Sequence, residues 1–255
     1  MRIPLHDTPS PVPPELLHRQ TRTSLVPGIG AEGLARLAAA RILVIGAGGL
    51  GSPVLGYLAA AGVGTLGICD SDVVEVSNLQ RQIIHDEASV GRPKTVSAAA
   101  HVTRLNAGVR VMQYPRATRE LLDAVAAQFD LVMDCTDSFD SKYLVADWCT
   151  DHGTPQVWAS VVAMTFQVSV FWSDAPSPYP TSRLRDLYPV PPAPGSTPSS
   201  ATIGVLGSVA GQAGSVMATE AVKLITGSGE PLLGRLLTAD AGRGRYQVIS
   251  FRGDR

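Results

Sequence analysis

The sequence predicts an α/β fold, a doubly wound, Rossmann-like and mostly parallel sheet that is extended by antiparallel C-terminal strands. Through the first 155 residues, apolar runs typical of buried strands alternate with helical patterns. Such alternation implies right-handed crossovers and a parallel sheet that is covered on both faces. Residues 165–172 instead alternate polar and apolar side chains, as a half-exposed antiparallel strand does.

Each element follows from its local pattern. We expect buried strands at residues 41–46, 65–69, 109–114 and 131–135, and helices near 50–61, 93–105, 118–127 and 139–151. Residues 201–226 are a further helix candidate, and two strands near 232–239 and 245–251 close the chain. The candidate helix has glycines at three- and four-residue spacing, namely Gly204, Gly207, Gly211 and Gly214. This glycine face predicts close packing inside the domain or at a dimer interface.

Proline sets two segments apart from the rest of the chain. Residues 1–27 hold six of the 19 prolines, and residues 176–198 hold another eight. We therefore expect an N-terminal arm at 1–27 and a single domain at 28–255, with a crossover loop at 173–200.

Composition narrows the classes of partner and compartment. The 255 residues carry 21 Lys+Arg against 22 Asp+Glu, so no strong net charge attracts nucleic acid or an anionic membrane. The first residues lack the apolar run of a secretion signal, and the longest uncharged stretch is too broken for a membrane span. Three cysteines without a CxxC pair favour a reducing compartment, the cytoplasm, and argue against structural zinc.

A glycine-rich motif is the clearest local signal. Gly46-Ala47-Gly48-Gly49-Leu50-Gly51 follows a predicted strand and precedes a predicted helix, where backbone amides can approach phosphates. Asp70 follows the second strand, in the place where a carboxylate accepts hydrogen bonds from ribose hydroxyls. These features alone predict NAD binding about as readily as ATP binding.

A polar and cationic set shifts the balance towards phosphate chemistry. Asn78, Arg81 and Lys94 follow the second strand, and positive charge converging on a triphosphate is what nucleotidyl transfer requires. The fourth strand ends in Asp134-Cys135-Thr136-Asp137. Asp137 could hold Mg²⁺, which takes one or two carboxylates together with phosphate oxygens; alternatively, it could cap the next helix.

Taken together, these motifs resemble the MoeB/ThiF group of the ubiquitin-activating-enzyme superfamily. The resemblance runs from about Arg19 to the C-terminus. It is carried by GAGGLGSP at 46–53, DSDVVEVSNLQRQ at 70–82, GRPK at 91–94, DCTD at 134–137 and TEAVKLITG at 219–227. Residues 185–200 and 229–237 are most similar to the actinobacterial MoeZ branch of this group.

The resemblance implies an ATP-dependent adenylyltransferase, in which Mg-ATP adenylates the C-terminal glycine carboxylate of a ubiquitin-fold sulfur carrier that ends in Gly-Gly. It also implies a homodimer, in which Arg22 reaches the phosphates of the partner subunit. The implied nucleotide contacts are the glycines Gly46, Gly48, Gly49 and Gly51, the ribose ligand Asp70, the phosphate ligands Asn78, Arg81 and Lys94, the magnesium ligand Asp137, and the further residues Asp72 and Gln82. The rhodanese domain of the MoeZ branch has no counterpart in the sequence, so we expect a separate sulfur donor.

Several departures from the family pattern bear on the acceptor and on later steps. Ser200 stands where some relatives have a reactive cysteine, and the zinc-binding CxxC pairs of many relatives are missing, so magnesium is the expected metal. The remaining cysteines fall in predicted core elements, where buried thiols are favoured: Cys69, Cys135 and Cys149. Near the nucleotide, Ser138, Lys142 and Ala146 replace the usual residues, and residues 157–166 replace a glycine-rich stretch.

These departures leave three alternatives open. The acceptor could be a peptide or a small carboxylic acid instead of a carrier protein. The chain could also be a nucleotide-binding scaffold without turnover. An NAD-dependent dehydrogenase is the weakest alternative, because no obvious hydride-transfer acid is present and the cationic set would have no role.

Overall fold

One mixed sheet organises the chain. The computed structural model describes residues 5, 12, 14–193, 195–196 and 200–251, without the side chains of 200 and 201. The strands are β1 (Arg41–Ile45), β2 (Thr65–Cys69), β3 (Arg110–Tyr114), β4 (Leu131–Asp134), β5 (Gln156–Val162), β6 (Thr165–Phe171), β7 (Arg235–Asp240) and β8 (Arg245–Ser250). Their order is β3-β2-β1-β4-β5-β6-β7-β8. Pairing is parallel from β3 to β5 and antiparallel from β5 to β8, which confirms the predicted fold class.

Helices cover both faces of the parallel strands. They are α1 (Pro14–Arg19), α2 (Thr21–Ser24), α3 (Gly30–Ala39), α4 (Gly51–Ala61), α5 (Lys94–Leu105), α6 (Arg119–Val125), α7 (Phe139–Asp151), α8 (Leu184–Leu187), α9 (Ser200–Ile203) and α10 (Gly207–Thr226). On β1, Ile42 and Val44 join the core beneath α3, α4, α5 and α10. Leu43 and Ile45 point to the opposite face and join the core beneath α6 and α7. This alternation is why β1 reads as a continuous apolar run.

Several elements differ from the sequence-based expectation. Strand β5 and the short helix α8 were not predicted, nor were the helices α1 and α2 within the predicted arm at 1–27 and α3 just after it. The single helix expected at 201–226 is interrupted, because Gly204 has a φ of +87° and ends α9 before α10 begins.

The glycine face of this region packs partly inside the domain. A Cβ added to Gly207 would lie 2.3 Å from the carbonyl oxygen of Gln80, and one added to Gly214 would lie 2.3 Å from Pro53 Cγ. These two glycines therefore let α10 approach the motif segment and α4.

Some predicted segments lie outside the described residues. These are most of residues 1–13 of the predicted arm, residues 194 and 197–199 of the predicted crossover loop, the side chain of Ser200, and residues 252–255. Within the described part of the chain, no helix has both the length and the apolar character needed to cross a membrane.

Candidate functional site

The glycine motif lies at the switch point of the sheet. Strand β1 has β2 on one side and β4 on the other. The helices that follow β1 and β4, α4 and α7, pack on opposite faces. A crevice therefore opens above the carboxyl ends of β1 and β4, where open α/β sheets bind ligands.

The four motif glycines have two different roles. Gly46 has a φ of +101°, and a Cβ on it would lie 2.6 Å from the carbonyl oxygen of Cys135. A Cβ on Gly51 would lie 2.0 Å from the carbonyl oxygen of Gly46, so packing alone excludes side chains at both positions. Gly48 and Gly49 are half-buried, and a Cβ on either would meet no atom closer than 3.4 Å. These two glycines leave the loop surface open to a ligand.

Asp70 connects β2 to the glycine loop. Its Oδ2 accepts a hydrogen bond of 2.8 Å from the backbone N–H of Ala47, and its Oδ1 accepts one of 2.8 Å from the N–H of Asp72. Each carboxylate oxygen keeps a second lone pair, which could accept a ribose hydroxyl. The carboxylate is thus held in place before any nucleotide binds.

Lys94 begins α5 and is paired with Asp72. Lys94 Nζ lies 2.8 Å from Asp72 Oδ2, with the lysine side chain 7% exposed and the aspartate 67% exposed. Asp72, which the family resemblance gives as a nucleotide contact, here binds the catalytic candidate Lys94. An ammonium group has three donors, so Lys94 can bind a phosphate oxygen while it remains paired.

The segment at 78–82 forms the wall beside the loop. Asn78 is buried, and its Oδ1 accepts a hydrogen bond of 3.2 Å from the N–H of Glu75, which stabilises the turn. Arg81 is half-buried, and its Cγ lies 3.6 Å from the Cβ position of Gly49. Gln82 is buried beside Gly48, and its Oε1 has no hydrogen-bond partner within the described residues. An unsatisfied buried acceptor at this wall fits a site that is completed by a ligand or water.

His85 was missed by the sequence analysis. It is buried, with Nε2 2.9 Å from the carbonyl oxygen of Ala47 and Nδ1 2.9 Å from Ser97 Oγ. Because a carbonyl only accepts, the Nε2–H donates to Ala47 and Nδ1 accepts from the serine hydroxyl. His85 therefore ties the glycine loop to α5, the helix that carries Lys94. The only signal in the sequence is a lone histidine between two motif segments.

Asp137 lies on the turn between β4 and α7. The alternative that it caps α7 is wrong, because the cap is Ser138, whose Oγ accepts a hydrogen bond of 3.2 Å from the N–H of Ser141. The Asp137 residue is exposed. Within the described residues, no group of three or more His, Cys, Asp or Glu side chains is placed to hold a metal. A cation here would depend on phosphate oxygens as well as this carboxylate, which is the usual arrangement for Mg²⁺.

A buried ion pair supports this turn. Asp134 is fully buried, and its Oδ1 lies 3.8 Å from Lys142 Nζ. Lys142 donates hydrogen bonds of 2.7 Å to the carbonyl oxygen of Thr136 and 2.6 Å to that of Ala159. Burial raises the pKa of Asp134, while Lys142 acts in the opposite direction. The pair thus fixes the residue next to Asp137 relative to β5.

The remaining predicted residue, Arg22, is not brought to this cluster within one chain. It lies exposed on α2. Arg19 and Gln20 anchor the arm to other helices. Gln20 donates a hydrogen bond of 2.5 Å to the carbonyl oxygen of Ala60 in α4, and Arg19 donates one to the carbonyl oxygen of Leu105 in α5. Ala60 is near the far end of α4, about 14 Å along the helix from the glycine loop.

The three cysteines are buried free thiols. Burial raises the pKa of Cys69 to about 12 and raises those of Cys135 and Cys149 as well. They therefore stay protonated at neutral pH, as expected for small core residues.

Comparison with known proteins identifies the family. The ThiF family model matches residues 19–254. The chain is 49% identical over 253 residues to "Probable adenylyltransferase/sulfurtransferase MoeZ" of Mycobacterium tuberculosis, covering 98% of this chain and 64% of that protein. The chain therefore spans slightly less than two thirds of that relative. It is 42% identical to "Sulfur carrier protein adenylyltransferase" of Thermus thermophilus, covering 93% of this chain and 88% of the relative.

Solved structures agree on the fold. The structure "E. coli MccB + ATP" superposes with a TM-score of 0.76 at 19% identity, covering 94% of this chain and 74% of that one. At that identity the likeness concerns the fold alone. The sequence match, by contrast, extends over nearly the whole chain. The chain belongs to the ThiF family.

Proposed function

We propose that the chain is an ATP-dependent adenylyltransferase that activates the C-terminal glycine carboxylate of a ubiquitin-fold sulfur carrier. The observation that carries the proposal is the cluster at the switch point, where Asp70 and Arg81 lie against an open glycine loop and Lys94 is linked to Asp70 through Asp72. The names of the relatives, which include a sulfur carrier protein adenylyltransferase, support the same reaction.

The reaction needs alignment and charge neutralisation more than proton transfer. The carrier carboxylate is already ionised at neutral pH, and one of its oxygens attacks the α-phosphorus of ATP. The new bond is an acyl phosphate, and the bond to the β-phosphate breaks as pyrophosphate leaves with the electron pair. Negative charge grows on the leaving phosphates, so fixed positive groups stabilise the transition state.

The described residues fit these roles. The open backbone at Gly48 and Gly49 receives phosphates, Asp70 binds the ribose, and Arg81 and Lys94 neutralise the phosphate oxygens. Asp137, with Asp134 and Lys142 holding its turn, would bind Mg²⁺, which supplies charge neutralisation on the phosphates when bound.

The protein acts as a homodimer in this proposal, and Arg22 completes the site of the partner subunit. Two features support it. The arm is anchored away from its own glycine loop. Leu25 on the arm side and Val76 and Ile83 beside the site are large apolar residues that are 70%, 72% and 67% exposed, which suits surfaces covered by a second copy. Mixing equal amounts of Arg22→Ala and Lys94→Ala chains tests this. Each mixed dimer would have one intact site, and since about half of the dimers are mixed, the mixture would regain about a quarter of wild-type activity.

We also propose a cytosolic location and a separate sulfur donor. The free cysteines suit a reducing compartment. Their raised pKa values oppose a role in relaying sulfur, so the sulfur would come from another protein or from bisulfide.

Pyrophosphate release from Mg-ATP, with and without a carrier ending in Gly-Gly, tests the proposed reaction. Release that depends on the carrier is the expected result. ATP binding without release in the presence of a panel of carriers would favour a scaffold without turnover.

A further inference from the structure

A second concave site lies beside the acidic turn. It occupies about 490 Å³ between the start of α7, the strands β5 and β6, and the crossover segment at 184–193. Half of the twelve residues that line it are aromatic or proline: Phe139, Tyr143, Trp158, Tyr188, Pro191 and Pro192. A cavity of this size and composition is typical of a ligand site.

The cavity is formed before any ligand binds, because the crossover segment is tied to α7. The Tyr143 hydroxyl lies 2.9 Å from the carbonyl oxygen of Tyr188 and 2.8 Å from that of Val190, and its single proton is shared between these two acceptors. Arg185 donates two hydrogen bonds of 2.8 Å to the carboxylate of Asp147, and its guanidinium stacks 4.9 Å from the centre of the Tyr143 ring. Preorganised walls of this kind lower the entropy lost on binding.

The lining offers no free charge within the described residues. Lys142 is its one charged member there, and its ammonium donates to the carbonyl oxygens of Thr136 and Ala159 and lies near Asp134. The polar groups that remain are the Ser160 hydroxyl, the Gln167 amide, whose Oε1 accepts a hydrogen bond of 2.7 Å from the Tyr188 hydroxyl, and the Trp158 indole N–H, which has no hydrogen-bond partner within the described residues. The cavity therefore suits a neutral apolar group and does not suit the reacting carboxylate or a phosphate.

The position of the cavity relative to the nucleotide indicates which substrate fills it. In the proposed function, Asp70 at the end of β2 binds the ribose and Asp137 after β4 binds the metal, so the nucleotide runs across the sheet edge from β2 towards β4. The acceptor must then approach from the side of β5 and β6. The cavity lies on that side, and Phe139 and Val190, which are part of its lining, have exposed side chains.

We propose that this cavity holds a large neutral apolar side chain of the acceptor protein, within the few residues that precede its terminal glycines. The inference rests on the proposed function and adds to it a determinant of acceptor choice. Trp158 and Ser160 come from the segment at 157–166 that departs from the family pattern, so the cavity gives that departure a role.

The test uses the full-length chain and a set of ubiquitin-fold carriers. Each carrier ends in Gly-Gly, with alanine at the third to sixth positions from the end or with a single phenylalanine at one of them. Carrier and ATP concentrations are varied separately, so that KM for each substrate and kcat are obtained. Two variants fill the cavity, Ala193→Trp on the exposed rim and Ser160→Leu inside, and Ala124→Trp on the exposed face of α6 is the matched control.

With the wild-type chain, phenylalanine at one position lowers KM for the carrier about tenfold or more relative to alanine. Both filled variants lose that advantage while KM for ATP is unchanged, and the control keeps it. The inference is overturned by an active wild-type chain with equal KM across the carrier set, or by an advantage that survives in both filled variants. If the chain adenylates benzoate or phenylacetate but no carrier, both this inference and the proposed function on a carrier protein are overturned.

Discussion

Replacing Lys142 with methionine tests the buried ion pair beneath the acidic turn. Asp134 is fully buried and the Lys142 side chain is 5% exposed, so the substitution leaves a carboxylate in the core without its cation. Removing one partner of a buried pair costs about 3–5 kcal/mol. Asp134 keeps hydrogen bonds from the Thr136 N–H, the Thr136 hydroxyl and the Gln156 amide, which favours the lower end, about 3 kcal/mol near pH 7.

The loss should depend on pH in a defined direction. Burial raises the pKa of Asp134, and removing Lys142 removes an opposing influence. A carboxyl group whose native pKa is raised favours the native state below its unfolded pKa of about 3.9, and this contribution is lost as pH rises through the native pKa. The deficit of Lys142→Met should therefore grow from pH 4 to pH 7.

Urea unfolding of the wild-type chain, Lys142→Met and the double variant Asp134→Asn/Lys142→Met measures this deficit. In a domain of this size, about 3 kcal/mol corresponds to a melting temperature lower by about 6–12 °C. The double variant has no uncompensated charge and should recover most of the loss. A deficit below about 1 kcal/mol at pH 7, or a double variant no more stable than the single one, would refute the reasoning.

Three further predictions concern the site. Arg81→Ala and Lys94→Ala should each lower kcat/KM for adenylation about 10²–10³-fold without altering the circular dichroism spectrum. The control Arg104→Ala, on the exposed side of α5, should leave kcat/KM unchanged. Wild-type rates in both Arg81→Ala and Lys94→Ala would contradict the proposed roles. Asp137→Asn should raise the magnesium concentration needed for half-maximal rate, and an unchanged titration would exclude it as the ligand. Burial is the main cause of the lowered pKa of His85, so the free energy of unfolding should fall as pH drops below about 6.5. In urea unfolding, His85→Gln should make this dependence of the free energy of unfolding on pH less steep. An equal slope in both proteins would contradict this.

Local patterns were sufficient for most strands and for the class of fold. Strand β2 has the predicted limits, and β1, β3 and β4 agree within one residue at either end. Strand β5 was missed because it is a nearly continuous apolar segment paired between β4 and β6, and such a run has no period that separates a strand from a helix. The break before α10 depends on the single backbone angle of Gly204, which spacing alone does not reveal.

The site was predictable where it depends on sequence order. Asp70 follows the strand next to β1 and contacts the glycine loop, as the topology leads one to expect, and Asp137 follows β4 on the other side of β1. The hydrogen bond between His85 and Ala47 and the ion pair between Lys142 and Asp134 are not part of any sequence motif. Only the packing of the folded chain brings these residues together. Neither the sequence nor the structure of one chain places Arg22 beside the other site residues, because its proposed contacts belong to a second subunit.

The most direct test of the central claim is the intact mass of a Gly-Gly carrier after incubation with the chain and Mg-ATP. The account predicts that the carrier gains the mass of one adenylyl group. It also predicts that a carrier with a blocked C-terminal carboxylate gains none, and that Lys94→Ala yields little product. An unmodified carrier alongside bound ATP, or adenylation that persists when the carboxylate is blocked, would contradict the account.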